Sequence, residues 1–309
     1  MTFGSGANQF NMEFVTIGNP GNAADENGYP RPAGAVGYTY GIGKFEVSRD
    51  MITKFNASQS LKITLADLNL YGGNGMKKPA TGVSWNEAAR FVNWLNTSTG
   101  GFAAYKFTTS GVNDNMVLWT ASDIEDFDVS NPYRSKRAMY VLPSYDEFHK
   151  AAYYDPLNQL YYVFPTGSNS RPTAVISGTT QGSAIYEYSG EANPLGPADV
   201  DSAGGLSPYG VMGFGGNVWE WEESSSELMN SNATSRRGIR SGDWDDSSFH
   251  ALKSSNRGTI EPGNQLYDIG FRVVTLSSSA PPAVPEPSMM VIGTLFGLGG
   301  LAAKRRMKK

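Results

Sequence analysis

The chain has 309 residues and a formal charge of −4, with 36 glycines, 17 prolines and no cysteine. Without thiols there are no disulfides, no thiolate nucleophiles and no cysteine-ligated zinc, iron–sulfur or copper sites. His149 and His250 are the two histidines, so one chain cannot assemble a three-histidine metal site.

Abundant Gly, Pro, Asn and Ser leave few long helical windows and predict an α+β chain dominated by loops, turns and short strands. Aromatic residues, 12% of the total, supply the buried surface. Lys304, Arg305, Arg306, Lys308 and Lys309 crowd the end of the chain, so the body is more acidic than the net charge implies. No basic stripe is left to displace phosphate counterions, which argues against nucleic acid as a partner.

Near Met1 no basic segment is followed by an apolar one, so Met1–Asn11 does not read as a signal peptide. Glu13–Gly18 has strand character, a polar loop follows to about Gly34, and Tyr38–Val47 resumes strand patterning. Ser48 is placed to cap a helix with Asp50 in its first turn and Met51, Ile52 and Phe55 as its apolar stripe. Leu65–Tyr71 predicts a second short helical piece ending at Gly72-Gly73. Ser84 and Glu87 have capping-box spacing, and Trp85, Ala88, Ala89, Val92 and Leu95 recur at the helical period as far as Asn96.

The box recurs at Ser144 and Glu147, with Phe148, Ala151 and Ala152 as the buried face. Between the two helices, Thr97–Tyr140 reads as a polar surface excursion with a hairpin around Val117–Thr120. His149 falls one step off the apolar stripe and reads as a surface or boundary histidine. Asp155–Tyr209 predicts long ordered loops, where binding sites usually reside.

Gly215-Gly216-Asn217-Val218-Trp219-Glu220-Trp221 is the most distinctive stretch. Strand alternation puts Val218 and Glu220 on one face and Trp219 and Trp221 on the other, sending both indoles into one core. The glycines suit either a tight turn or a loop whose carbonyls, with Glu220, hold a hard cation. Gly270–Val274 then reads as a closing strand able to pair with Phe14–Ile17.

Several of these pieces together resemble the sulfatase-modifying-factor family, which includes the formylglycine-generating enzymes. They are Gly43–Val47, Pro79–Trp85 with Ala88–Phe91, Leu142-Pro143-Ser144 with Glu147, Tyr209-Gly210, Gly216–Trp221, Arg240–Trp244 and Gly270-Phe271-Arg272, spread over about residues 12–275. The resemblance implies a loop-rich, C-type-lectin-like α+β fold. It also implies an oxidase in which two cysteines beyond the Ser241-Gly242-Asp243-Trp244 motif bind copper, but Asp245–Ala251 contains no thiol, so no copper is expected. For calcium it implies backbone oxygens of Gly216 and Val218 and the carboxylate of Glu220, with Gly213 standing where a side-chain oxygen is usual. A second calcium site is implied near Asn193 and Asp201.

The tail is the other informative segment. A Ser/Pro linker, 277–283, separates a domain of residues 1–276 from a tail, 284–309, built of Pro285-Glu286-Pro287, the apolar run Met289–Ala303 and the basic end. As a helix that run reaches about 22 Å against a ~30 Å hydrocarbon core, and snorkelling lysines extend it into a single C-terminal transmembrane helix. The basic end stays cytoplasmic, which places everything before Met289 outside. This tail resembles a PEP-CTERM sorting signal, which implies an exosortase-type partner that cuts near Pro285-Glu286-Pro287. A start upstream of Met1 is then expected to supply the export signal.

The function expected from these readings is an exported, non-catalytic, lectin-like binding module, anchored in the inner membrane until processed and then displayed at or released from the cell surface. Its ligand would be a glycan or a matrix protein. The alternatives are an enzyme of the formylglycine-generating type or one using a metal on Asp243, Asp245, Asp246 and His250, and a structural matrix component without a discrete ligand.

Overall fold

The computed structural model describes residues 1–124, 127–187, 190 and 192–276. The chain divides into two units, Met1–Ser278 and Ser279–Lys309. The linker, the Pro-Glu-Pro motif and the apolar run of the tail lie outside the described residues. Among the described residues no helix is long and apolar enough to cross a membrane.

Three helices carry the expected start signals. Ser48 caps α1 (Arg49–Ser58), accepting a bond from the Met51 amide. Complete capping boxes open α2 (Trp85–Ser98) and α3 (Tyr145–Tyr153), through Ser84 with Glu87 and Ser144 with Glu147. In both boxes the serine hydroxyl takes the glutamate amide while the glutamate carboxylate takes the serine amide, so two orphan donors are satisfied at once.

Two four-stranded sheets complete the frame. The first is antiparallel, with β1 (Phe14–Ile17), β2 (Tyr40–Gly43), β8 (Val274–Leu276) and β3 (Tyr140–Val141) in that spatial order. The second runs β6 (Gly258–Ile260), β5 (Arg237–Arg240), β4 (Trp219–Ser225), β7 (Ile269–Gly270), with β4 and β7 parallel. The expected closing strand Gly270–Val274 is therefore two pieces. Its first residues join the second sheet and its last join the first, and β1 pairs with β2 rather than with it.

The main core lies where α1 and α2 meet these sheets. Phe91 stands edge-on to Phe55 and Phe271, with ring centroids 5.5 and 5.6 Å away. Trp85 and Trp221 are both fully buried, and each indole N–H reaches across to a carbonyl, Glu222 and Val83 respectively. Those bonds remove the polar cost of burying an indole.

Elsewhere the structure corrects the sequence reading. Residues 65–68 are coil and 69–72 form turns, because their apolar positions are too few to pay for a helix nucleus. The excursion after α2 is not a surface feature throughout, since Ala104, Tyr105, Met116 and Tyr133 enter the main core. Val117 does not centre a hairpin there but bridges back to Lys106.

Asn96 ties α2 to β3. Its amide nitrogen donates to the Tyr140 carbonyl at 2.7 Å, and its oxygen accepts from the Met139 and Tyr140 amides, both at 2.9 Å. Asn96 and Tyr140 are buried, while Met139 is partly exposed. Asn96→Ala would strand three backbone groups, and a loss of about 3 kcal/mol is expected in urea unfolding. A loss below about 0.5 kcal/mol would show that these bonds are replaced by water.

Candidate functional site

The loop before β4 is shaped by backbone geometry that few residues tolerate. Gly213, Gly216 and Asn217 have φ of 84°, 80° and 68°. A Cβ on Gly216 would lie 1.9 Å from the Ile185 carbonyl oxygen, so the close strand approach requires glycine. Asn217 holds the loop from within. Its oxygen accepts from the Ala198 amide at 2.7 Å and its nitrogen donates to Glu46 Oε1 at 2.8 Å.

Glu220 follows on β4 and is fully buried. Both of its oxygens are held by Arg272, from Nε at 2.5 Å and Nη2 at 2.6 Å. Arg272 also donates to the carbonyls of Gly43 and Met212 and lies 4.0 Å from the centroid of Phe214. Burial pushes the Glu220 carboxyl up to about 7; Arg272 opposes that shift and Glu46 adds to it. Glu46 occupies the space beside Gly213, where a Cβ would lie 2.5 Å from its Oε1. Burial raises its carboxyl too, and Oε2 has no partner.

These residues do not fit calcium at Gly216, Val218 and Glu220. The carboxylate that would hold the ion already carries a bidentate guanidinium, which takes a lone pair from each oxygen and neutralises its charge. At the second position Asp201 is paired with Lys77 at 2.7 Å, in a contact open to solvent.

Glu220 begins a row of buried carboxylates along β4. Glu222 takes Arg240 Nε at 2.6 Å and Arg257 Nε at 2.8 Å. Burial alone would raise its pKa, but the two arginines hold it below the ordinary range. Glu223 takes the Tyr105 hydroxyl at 2.9 Å and the Asn131 amide at 2.7 Å, and lies 3.4 Å from Arg134 Nε. Arg134 also pairs with Glu147, the capping residue of α3. Strand alternation sent both indoles into one core, but Trp221 is fully buried and Trp219 only half-buried against it. Every residue from Glu220 to Ser225 is buried.

The segment to which the resemblance assigns the copper thiols holds carboxyls instead. Asp243 is 3% exposed and hydrogen-bonds through its side chain with Asp246 and Asp268. Burial first, then the negative neighbours Asp246 and Asp268, push its carboxyl up to about 9, so it stays protonated at neutral pH. Asp245 is turned aside, accepting from the Tyr267 hydroxyl at 2.9 Å. His250 is exposed and stacks on Phe249 at 4.3 Å. Asp243, Asp245, Asp246 and His250 thus do not converge, and among the described residues no group of His, Asp or Glu could hold a metal ion.

His149 is also not at the surface. It is fully buried among Tyr145, Tyr153 and Tyr161, with Nε2 3.0 Å from Asp25 Oδ2 and Nδ1 without a partner. Burial lowers its pKa to about 4, although Asp25 pulls the other way. The helical period placed it one step off the stripe, but the loop carrying Asp25 covers that flank. A Gly-, Asn- and Pro-rich loop gives no periodic signal of where it will lie.

Two substitutions test this electrostatic account. Arg272→Met leaves Glu220 buried and unpaired and is expected to cost about 3–5 kcal/mol in urea unfolding, much of it recovered by adding Glu220→Leu. A cost below about 1 kcal/mol would show the pair to be solvated. Asp243 titrates from an ordinary 3.8 in the unfolded chain to about 9 in the native one. Its contribution is therefore complete below about pH 4 and lost as pH rises through about 9. Asp243→Asn should flatten the fall in melting temperature over that window, and an unchanged slope would contradict the buried proton.

Residues 9–276 match the family described as the sulfatase-modifying factor enzyme 1-like domain. No curated protein matches the sequence. Among solved structures, Treponema denticola variable protein 1 superposes with a TM-score of 0.59 at 19% identity, over 89% of this chain and 98% of that one. CarF gives 0.55 at 16%, over 87% and 99%. PvdO from Pseudomonas aeruginosa gives 0.51 at 17%, over 89% and 97%. At such identities the likeness establishes the shared C-type-lectin-like, formylglycine-generating-enzyme-like fold and nothing finer. The chain belongs to the sulfatase-modifying factor enzyme 1-like domain family.

Proposed function

We propose that this protein is a non-catalytic binding module that reuses the fold of an oxidase family, is exported, and binds a surface glycan. The observation that carries the proposal is that Asp245–Ala251, where the family resemblance calls for copper thiols, holds none, and that its Asp246 instead joins Asp243 and Asp268 in a carboxyl cluster. Copper chemistry needs soft thiolate ligands there, and the chain has no cysteine. A carboxyl cluster with a protonated Asp243 offers copper(I) no soft ligand.

Exposed loops on a well-packed frame suit recognition, and Asp155–Tyr209 supplies many of them. In this proposal the C-terminal tail directs the chain to the inner membrane, an exosortase-type enzyme cuts near Pro285-Glu286-Pro287, and the domain acts at the cell surface or in the matrix. Calcium has no part at Glu220, because Arg272 occupies that carboxylate.

The full chain in mild detergent, supplied with copper and a cysteine-containing peptide, is expected to leave the thiol unoxidised while binding extracellular material from the producing cell saturably. Copper-dependent oxidation of the peptide would overturn the non-catalytic assignment. Absence of saturable binding would favour a structural matrix component.

A further inference from the structure

A groove of about 330 Å³ opens between α2 and the loop that follows it. That volume is at the small end of ligand sites. Its walls are aromatic. Trp119 and Phe107 are half-buried there, and Trp94 lies behind them, packed edge-on to Phe55 at 5.4 Å. The Trp119 indole N–H donates to the Ala104 carbonyl at 2.9 Å, which fixes its ring in the wall.

The charged groups lining the groove are both cations, Arg90 and Lys106. Arg90 lies on α2, 9% exposed, with its guanidinium 3.9 Å from the centroid of Phe107. It gives one bond, from Nη2 to the Thr109 carbonyl at 3.1 Å, and its Nε is buried without a partner. Among the described residues no carboxylate is within salt-bridge distance; Asp114 acts on it only from farther away. Arg240 and Arg272 are buried against carboxylates, whereas Arg237, like Arg90, lies on aromatic rings with a buried Nε that has no partner; Arg90 differs from it in lining a groove. An arginine this buried and this poorly paired, at a groove, is a waiting anion site. Lys106 at the rim pairs with Asp123 at 2.5 Å, a half-exposed contact that an incoming carboxylate could replace.

The occupant is distinguished by what the walls do not offer. Peptides gain affinity by pairing with a free sheet edge or by laying a helix along an apolar groove. A helix flank and an irregular loop provide neither. Flat indole and phenyl faces beside a guanidinium match the C–H faces of a pyranose ring that carries a carboxylate.

We propose that this groove binds a short stretch of a uronate-bearing polysaccharide, with Arg90 and Lys106 on the carboxylate and Trp119 and Phe107 on the ring faces. The proposal rests on the binding-module reading and narrows its ligand to an acidic glycan.

The test is calorimetric titration of the full chain with oligogalacturonate and with its methyl ester, at low salt. Saturable binding of the acid is expected, about tenfold or more tighter than that of the ester, and reduced about tenfold by Arg90→Gln or Trp119→Ala. Lys106→Gln, at the rim, should also weaken binding and decides the matter if Arg90→Gln fails to fold. Equal binding of acid and ester, or unchanged affinity in folded variants, would overturn the groove. If the chain binds extracellular material but not oligogalacturonate, the groove assignment fails and the module stands. If it binds neither, both fall.

Discussion

Everything in the second half of the chain is arranged around one ion pair, Glu220 with Arg272. Glu220 is on β4 of one sheet, while Arg272 lies between β7 of that sheet and β8 of the other. The guanidinium fork closes on both carboxylate oxygens and reaches the carbonyl of Gly43 at the end of β2. Residues 269–276 can therefore serve two sheets only if this arginine is buried at the crossing, and it can be buried only with a carboxylate to neutralise it. The glycines before β4 let Glu46 and Asn217 approach closely enough to finish the shell.

The same logic extends along β4. Three glutamates in one buried strand need cations delivered from elsewhere, and the fold supplies them from β5, from the segment after β7 and from the loop before β3. Buried pairs of this kind add little net stability over apolar isosteres, yet removing one partner is costly, so the row constrains which segments meet. Arg90 departs from this pattern. It is buried on an aromatic ring at an open groove, and among the described residues no carboxylate lies within salt-bridge distance of it.

Much of the frame was legible in the sequence because its signals are local. Serine and glutamate three apart opened α2 and α3, and the family's motifs fixed the fold class. What escaped depends on distant partners. Nothing in the spacing of Gly270–Val274 says that it splits between two sheets, since a split strand and a continuous one look alike in an apolar run. His149 appeared peripheral because a loop without periodicity, carrying Asp25, covers it. One further signal is in the sequence: strand alternation puts Glu223 on the face of Trp219 and Trp221, so a sheet that buries those indoles buries this acid too, which calls for a cation such as Arg134.

The claim that joins these parts is that an arginine, not a calcium ion, completes the loop at Glu220. Its most direct test is the melting temperature of the protein with excess calcium and then with excess chelator. A ligand that binds only the native state raises stability by mass action. The account predicts the same melting temperature in both conditions; a rise with calcium that disappears in Glu220→Gln would contradict it.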